Sequence, residues 1–562
     1  DDIAPNVKQV TRSTIDLPDE APLARVAPVG IDMPKIAISP DGDRIVHVAE
    51  SDGGTALFVR EIDGYQMSRV PGTEGAILPF FSPDGTWVGF LTNDQVKKVS
   101  LRGDRPFTLG DATTPVRAFW TPDGSILVSS NGGQAVSRIS AEGGGDFSHI
   151  ASLSELFPRA HWTNMTDVSP DGTAALAAVW LRSVSGDYAD IHWIDLKTWR
   201  TERIALFGYD ARFAGEFIVF ARGGALMAAP WEEAELRSGE PVPAISGVRM
   251  ESFFGQSQFS ISRSGTLLYV PGSDRAIGRI ASLDRRGNAK FLDVPQRAYA
   301  AINVSPDDQR LVVNVADSND YLWIYDLERQ EGRRLAAGTV PLWSPKGDEI
   351  VFSRADPDHG WRVFTLPVSR PEQPREVLAS EFRVHPSSWS PDGSTIALTH
   401  EGTANRMSFL NIRGEPNLTM ASPGGSYHLF PSFSPDGKWI AYGSGETGRF
   451  EIWVRSYPNG ETARQISVDG GVEPVWCDNG ELLYRVGNQW MVVSITTGPE
   501  LSWEPPRPIF SSDFIDTPRG TWDVTSDGQR VFIFRRTSED ERTKFRLVTN
   551  WFSELKRLVP TN

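Results

Sequence analysis

A four-residue turn recurs along nearly the whole chain and constrains the fold more than any other feature. It reads Ser39-Pro40-Asp41-Gly42, Ser82-Pro83-Asp84-Gly85, Thr121-Pro122-Asp123-Gly124 and Ser169-Pro170-Asp171-Gly172. It returns as Ser305-Pro306-Asp307-Asp308, Ser344-Pro345-Lys346-Gly347, Ser390-Pro391-Asp392-Gly393 and Ser434-Pro435-Asp436-Gly437. Degenerate copies run from Ser262 to Gly265, Cys477 to Gly480 and Thr525 to Gly528. A period of about forty residues is the mark of a repeat architecture.

The residues of the turn explain it. Ser accepts hydrogen bonds from the turn backbone, Pro presets φ, Asp is tolerated at the third position, and Gly supplies positive φ at the fourth. Apolar strands follow each copy, such as Trp439-Ile440-Ala441-Tyr442, and then a second strand such as Leu322-Trp323-Ile324-Tyr325. Both faces of these middle strands are apolar, so both should be covered. Four antiparallel strands per unit, packed face to face, predict propeller blades. A twelfth unit lacks the turn but keeps its strands, from Gly215 to Pro230.

The two halves of the chain match. Ser305 follows Ser39 by 266 residues, Ser344 follows Ser82 by 262, and Ser434 follows Ser169 by 265. The expected fold is therefore all-β: tandem β-propellers, two six-bladed rings of four-stranded antiparallel blades, with one twelve-bladed ring as the alternative. The expected domains are an N-terminal linker (1–12), a first ring (13–285), a second ring (286–550) and a short C-terminal helix (551–562). Three related strands, starting at Ser13, Arg279 and Lys544, could clasp the rings; which closes which is not decided by spacing. The apolar residues Trp551, Phe552, Leu555, Leu558 and Val559 fall at helical spacing before Pro560, and the helix is expected to cap the second ring.

Composition bounds the partners. The chain carries a net charge of −16 and no long basic run, which argues against nucleic acid and anionic membranes. One cysteine, Cys477, excludes an intrachain disulfide framework. No stretch is apolar enough for a membrane span. The start at Asp1 reads as a processed or truncated product.

The repeats resemble the S-P-D-G type of WD40-like propeller found in the TolB family. They look closest to the propeller region of bacterial receptor-type serine/threonine kinases. The marks are Phe430-Pro431-Ser432-Phe433-Ser434-Pro435-Asp436-Gly437, Glu473-Pro474-Val475-Trp476 and Asn550-Trp551-Phe552-Ser553-Glu554-Leu555-Lys556. The resemblance implies a bacterial, extracytoplasmic (periplasmic or cell-surface) sensor or a free-standing binding protein. It implies no kinase activity here, because the phosphate loop, strand lysine and His-Arg-Asp loop are missing. Gly145-Asp146-Phe147-Ser148 lacks every partner motif.

Residues just before the first strand of each unit should ring a channel mouth. They are Arg117, His161 and Gln258 in the first half, and His385, His428, Glu473 and Asp523 in the second. Two readings stand. They bind a small molecule, glycan, peptide or protein, or they bond backbone and solvate a funnel. No cofactor or metal is expected: the eight histidines form no i, i+4 pair, and Asp317-Ser318-Asn319-Asp320 lacks a calcium loop. No Gly-x-Ser-x-Gly elbow is present. A hydrolase, most plausibly a glycoside hydrolase using paired carboxylates or His across a channel, is the alternative function.

Overall fold

The computed structural model describes the chain except residues 1–8, 25–32, 52–53, 113–114, 131–132, 159, 182–188, 252–254, 273–276, 317–319, 357–359, 401–405, 422–427, 447–448, 461, 499, 516, 518–519, 537–542 and 560–562. Most of Asp317-Ser318-Asn319-Asp320, and His359, lie outside the described residues. The architecture is all-β, with four-stranded antiparallel sheets succeeding one another along the chain. One is Ile36–Ile38, Arg44–Ser51, Gly54–Glu61 and Ser68–Arg69. Its second-half counterpart is Tyr299–Val304, Arg310–Ala316, Asp320–Asp326 and Gly332–Ala337. The second strand is buried along most of its length and the fourth is mainly exposed. Inner strands of successive sheets lie side by side: Ile36–Ile38 beside Leu78–Phe81, then Arg117–Trp120, then Ala160–Val168. This is the packing of β-propeller blades, in which each sheet buries both faces against its neighbours.

The unit that lacks the turn motif is present as expected. The long strand Thr201–Ala214 serves two sheets, pairing first with Ala189–Asp195 and then with Phe217–Arg222. Phe217–Arg222 and Ala225–Glu232 are the strands read from the Gly215 to Pro230 segment.

In the turns, the aspartate does more than tolerate its position. The Ser82 hydroxyl donates to Asp84 Oδ1 at 2.5 Å and accepts from the Trp87 amide at 3.0 Å. Asp84 Oδ1 also accepts from the Thr86 amide at 3.1 Å. The same pattern holds at Asp171, Asp392 and Asp436. These bonds favour the ionised carboxylate, led at Asp84, Asp171 and Asp392 by the serine hydroxyl, and hold Asp392 down to about 2. Gly437, at φ 67°, occupies the left-handed region assigned to it.

A second recurring bond joins neighbouring sheets. The side chain two positions before a turn accepts the backbone N–H one position before the next turn. Asn303 takes the Trp343 amide at 2.8 Å, Ser388 that of Phe433 at 3.0 Å, Ser432 that of Trp476 at 3.4 Å, and Asp167 that of Phe213 at 2.9 Å. The same bond links the last sheet of each half to its first. Ser260 takes the Ile38 amide at 3.2 Å, and Asp523 takes the Val304 amide at 2.7 Å. A buried or partly buried backbone donor is thereby satisfied at each of these junctions.

The three clasp strands are resolved by their pairing. Gly278–Leu283 pairs with Val531–Arg536, so it completes a second-half sheet although the expected boundary placed it with the first. Lys544–Thr549 lies between Leu267–Tyr269 and Thr11–Asp16, in the first half. The helix Trp551–Leu558 forms as its spacing predicts, but it packs on first-half sheets, correcting the expectation that it caps the second ring. Trp551, Leu555 and Val559 share a core with Trp180, Phe217, Leu226 and Leu267. The reason is the strand before it: once Val548 is paired with Leu267 and Thr549 with Thr11, the helix must land there.

Candidate functional site

Four residues before the start of each turn, each sheet has one residue on its inner strand or at that strand's entry. In the first half these are Lys35, Leu78, Arg117, Met165 and Gln258; in the second they are Ala301, Val340, Pro386, Phe430, Glu473 and Thr521. Asp210 takes the corresponding place in the sheet whose turn motif is missing. It has φ 50°, as Val340, Phe430 and Glu473 have φ 48°, 53° and 53°. All four sit at interruptions of strand register. A bulge of this kind re-aims a side chain.

In the first half two of these positions, Arg117 and Asp210, meet. Arg117 Nη2 donates to Asp210 Oδ1 at 2.7 Å and to the Gln256 side-chain oxygen. Arg117 and Asp210 are 5% and 0% exposed. Arg117 lies on the strand Arg117–Trp120 and Asp210 on Thr201–Ala214, which continues the sheet that starts with Ala160–Val168, so the contact joins two sheets. Arg212 Nη2 approaches Asp210 Oδ1 at 2.8 Å. Asp167 stands beside Arg212; burial pushes its carboxyl up to about 6, opposed chiefly by the Arg212 charge. Burial lowers Arg117 to about 10, while Asp210 opposes the shift. Buried charges persist only when paired and hydrogen-bonded; Arg117 and Asp210 pair with each other, while Arg117 Nε and Asp210 Oδ2 have no hydrogen-bond partner among the described residues.

Gln258 is also buried, but it bonds backbone. Its oxygen accepts the Lys35 amide at 2.9 Å and its nitrogen donates to the Met33 carbonyl at 2.8 Å. His161 lies on the strand Ala160–Val168; its side chain is outside the described residues.

The second-half residues are not gathered into one cluster of this kind. His385 lies edge-on to Trp361 at 5.7 Å, and Arg383 covers the same ring. His428 bonds Glu446 at 3.0 Å and lies edge-on to Tyr442. Glu473 takes Arg485 Nε at 2.7 Å, both buried. Asp523 accepts Asn303 Nδ2 and the Val304 amide, each at 2.7 Å, which is the sheet-to-sheet bond described above. Burial raises its carboxyl to about 7 against the pull of those bonds.

Arg117 is one of the mouth residues expected from the sequence; Asp210, Arg212, Asp167 and Gln256 are not among them. Counting back from the turns would have aligned Arg117 with Lys35 and Gln258. It could not place Asp210, because its sheet has no turn motif to count from. Among the described residues no three His, Cys, Asp or Glu side chains are grouped as metal ligands, and no helix is long and apolar enough to cross a membrane.

No family model matches the chain. It is similar to the structure of putative TolB from Agrobacterium tumefaciens, at 18% identity, over 47% of this chain and 99% of that one, with a TM-score of 0.38. It is similar to TolB from Acinetobacter baumannii, at 12% identity, over 65% of this chain and 80% of that one, with a TM-score of 0.30. It is also similar to the tricorn protease, at 13% identity, over 92% of this chain and 61% of that one, with a TM-score of 0.30.

Proposed function

We propose that the chain is a ligand- or protein-binding module of two six-bladed propeller rings. The first ring takes the sheets from Ile36 to Tyr269, completed by Lys544–Thr549 and Thr11–Asp16. The second runs without interruption from Gly278 to Arg536. The closing bonds at Ser260 and Asp523 support two rings over one ring of twelve. In the same proposal the module works outside the cytoplasm of a bacterium, as the sensing part of a receptor or as a free-standing binding protein. Its partner is a small molecule, glycan, peptide or protein held at the channel of the first ring.

The observation that carries the site is the buried Arg117–Asp210–Arg212 cluster. Charged groups from two sheets converge there, where apolar side chains would pack at less desolvation cost. Convergent polar groups in a concave channel are what ligand recognition needs. The test is Arg117→Met, which removes one cation while Asp210 keeps Arg212. Thermal-shift screening of glycans, short peptides and small carboxylates should give a compound that stabilises the parent chain and fails on the variant. A compound that stabilises both equally would place binding elsewhere. Hydrolysis of a glycan by the parent, lost on changing Asp167 or Asp210 to Asn, would favour the hydrolase reading.

A further inference from the structure

The first-half sheet that contains Leu267–Tyr269 is assembled from three distant stretches of chain, and one of them makes its described ladder and core contacts there. The segment from Lys544 to Val559 pairs on one side with Thr11–Asp16, from Thr11↔Thr549 to Asp16↔Lys544, and on the other with Leu267–Tyr269. The Trp551 amide donates to the Gly265 carbonyl at 2.7 Å. Trp551 and Leu555 are fully buried among first-half side chains. Glu554 takes Arg12 Nη2 at 2.6 and 2.7 Å, and Lys556 reaches Glu216 at 2.6 Å. By contrast, Arg536 ends a strand already paired with Gly278–Leu283. The second-half sheets are complete without the segment, and residues 537–543 are its covalent tie to them.

We propose that the gap between Leu267–Tyr269 and Thr11–Asp16 is a docking slot for this strand-and-helix segment, and that it accepts the segment of a second copy when its own is withdrawn. The recognition is strand addition with two ladders, which supplies main-chain hydrogen bonds on both edges. The alternate side chains and the helix supply specificity: Phe545, Leu547, Trp551 and Leu555 enter the core, while Arg546 bonds Thr14 at the surface. Exchanging an identical element between copies needs no new interface, so the contacts made in trans equal those made in cis.

The experiment uses the full chain with a specific protease site in place of residues 538–541, cleaved after folding. The probe is a fluorescent synthetic peptide of residues 543–559. The nicked chain should keep its own fragment through gel filtration and then exchange it for the labelled peptide in mild urea. The uncut chain should take up at least tenfold less label. A Leu547→Asp peptide should compete at least tenfold more weakly, since it would bury a charge. Equal labelling of cut and uncut chains would overturn the slot, as would a nicked chain that sheds its fragment and takes up no peptide. Neither result depends on any ligand at the Arg117 cluster.

Discussion

The two halves repeat the same sheets but join their ends differently, and the difference separates local from global control of the fold. In the second half the closing sheet meets the first through two carboxylates. Asp523 takes the Val304 amide, and Asp308 takes both the amide and hydroxyl of Ser526, at 2.9 and 2.7 Å. In the first half the corresponding contacts are neutral and longer: Ser260 to the Ile38 amide at 3.2 Å, and the Ser264 amide to the Pro40 carbonyl at 3.3 Å. What the first junction lacks in charge it gains in covering chain, since Thr11–Asp16 and Lys544–Thr549 both lie in the sheet of Leu267–Tyr269. The second-half sheets come from one continuous stretch of sequence; the first-half sheet of Leu267–Tyr269 is joined by contacts more than 500 residues apart, such as Arg12 with Glu554.

Trp551→Ala should expose that contrast most strongly. Removing a fully buried indole leaves a cavity that costs about 3–5 kcal/mol. Hydrogen exchange read by mass spectrometry should show lost protection in the strands around Leu267 and Phe217, with Leu311 to Val315 unchanged. Equal loss in both halves would mean that the halves unfold as one unit and that the two junctions are not separate.

The next effect lies in the turns at the junctions. Gly42 has φ 86°, and a Cβ there would sit 2.6 Å from Ser264 Oγ; the matching residue of the second half is Asp308, at φ 57°, whose carboxylate makes the junction. Gly437 has φ 67°, but a Cβ there would meet Pro391 only at 3.5 Å. Gly42→Val combines backbone strain with a clash and should cost about 2–4 kcal/mol, against about 1–3 for Gly437→Val. Urea melts of the two variants check this. Equal costs would show that the turn conformation, and not closeness to Ser264, sets the penalty at Gly42.

The repeats made the sheets legible, because each turn announces its strands with residues only a few positions away. Even the unit from Gly215 to Pro230 was visible by its offset from the second half. The destination of Lys544–Thr549 was not. It resembles Gly278–Leu283, and nothing local to it records that Leu267–Tyr269 lies beside it. The helix was readable from Trp551, Leu555 and Val559, but its floor was set by that unseen pairing. The candidate site was half legible for a related reason. Arg117 stands in counted register, whereas Asp210 depends on a bulge at φ 50° in a strand shared by two sheets. Asp523 was read as a mouth residue, yet its carboxylate makes the bond between sheets that a serine makes at position 260.

That exchange of Ser260 for Asp523 should give the second junction a pH dependence that the first lacks. A carboxyl raised to about 7 by burial holds its proton in the folded chain while the unfolded chain has released it near pH 4. Between those values the folded state binds more protons, so this group favours folding less as pH rises from about 4 through 7. The turn aspartates act in the opposite sense, since their lowered carboxyls weaken the fold only as pH falls toward about 2, the value at Asp392. Asp523→Asn keeps an oxygen for the Asn303 and Val304 donors and removes the charge. The variant should match the parent near pH 4 and exceed it increasingly as pH rises through about 7 to 8. Protection at Val304 should rise with it, and protection at Ile38 should not. A variant less stable than the parent at pH 8 would mean that the ionised carboxylate is the better acceptor there, so that Asp523 strengthens the junction through its charge and the longer serine bond of the first half is simply the weaker one.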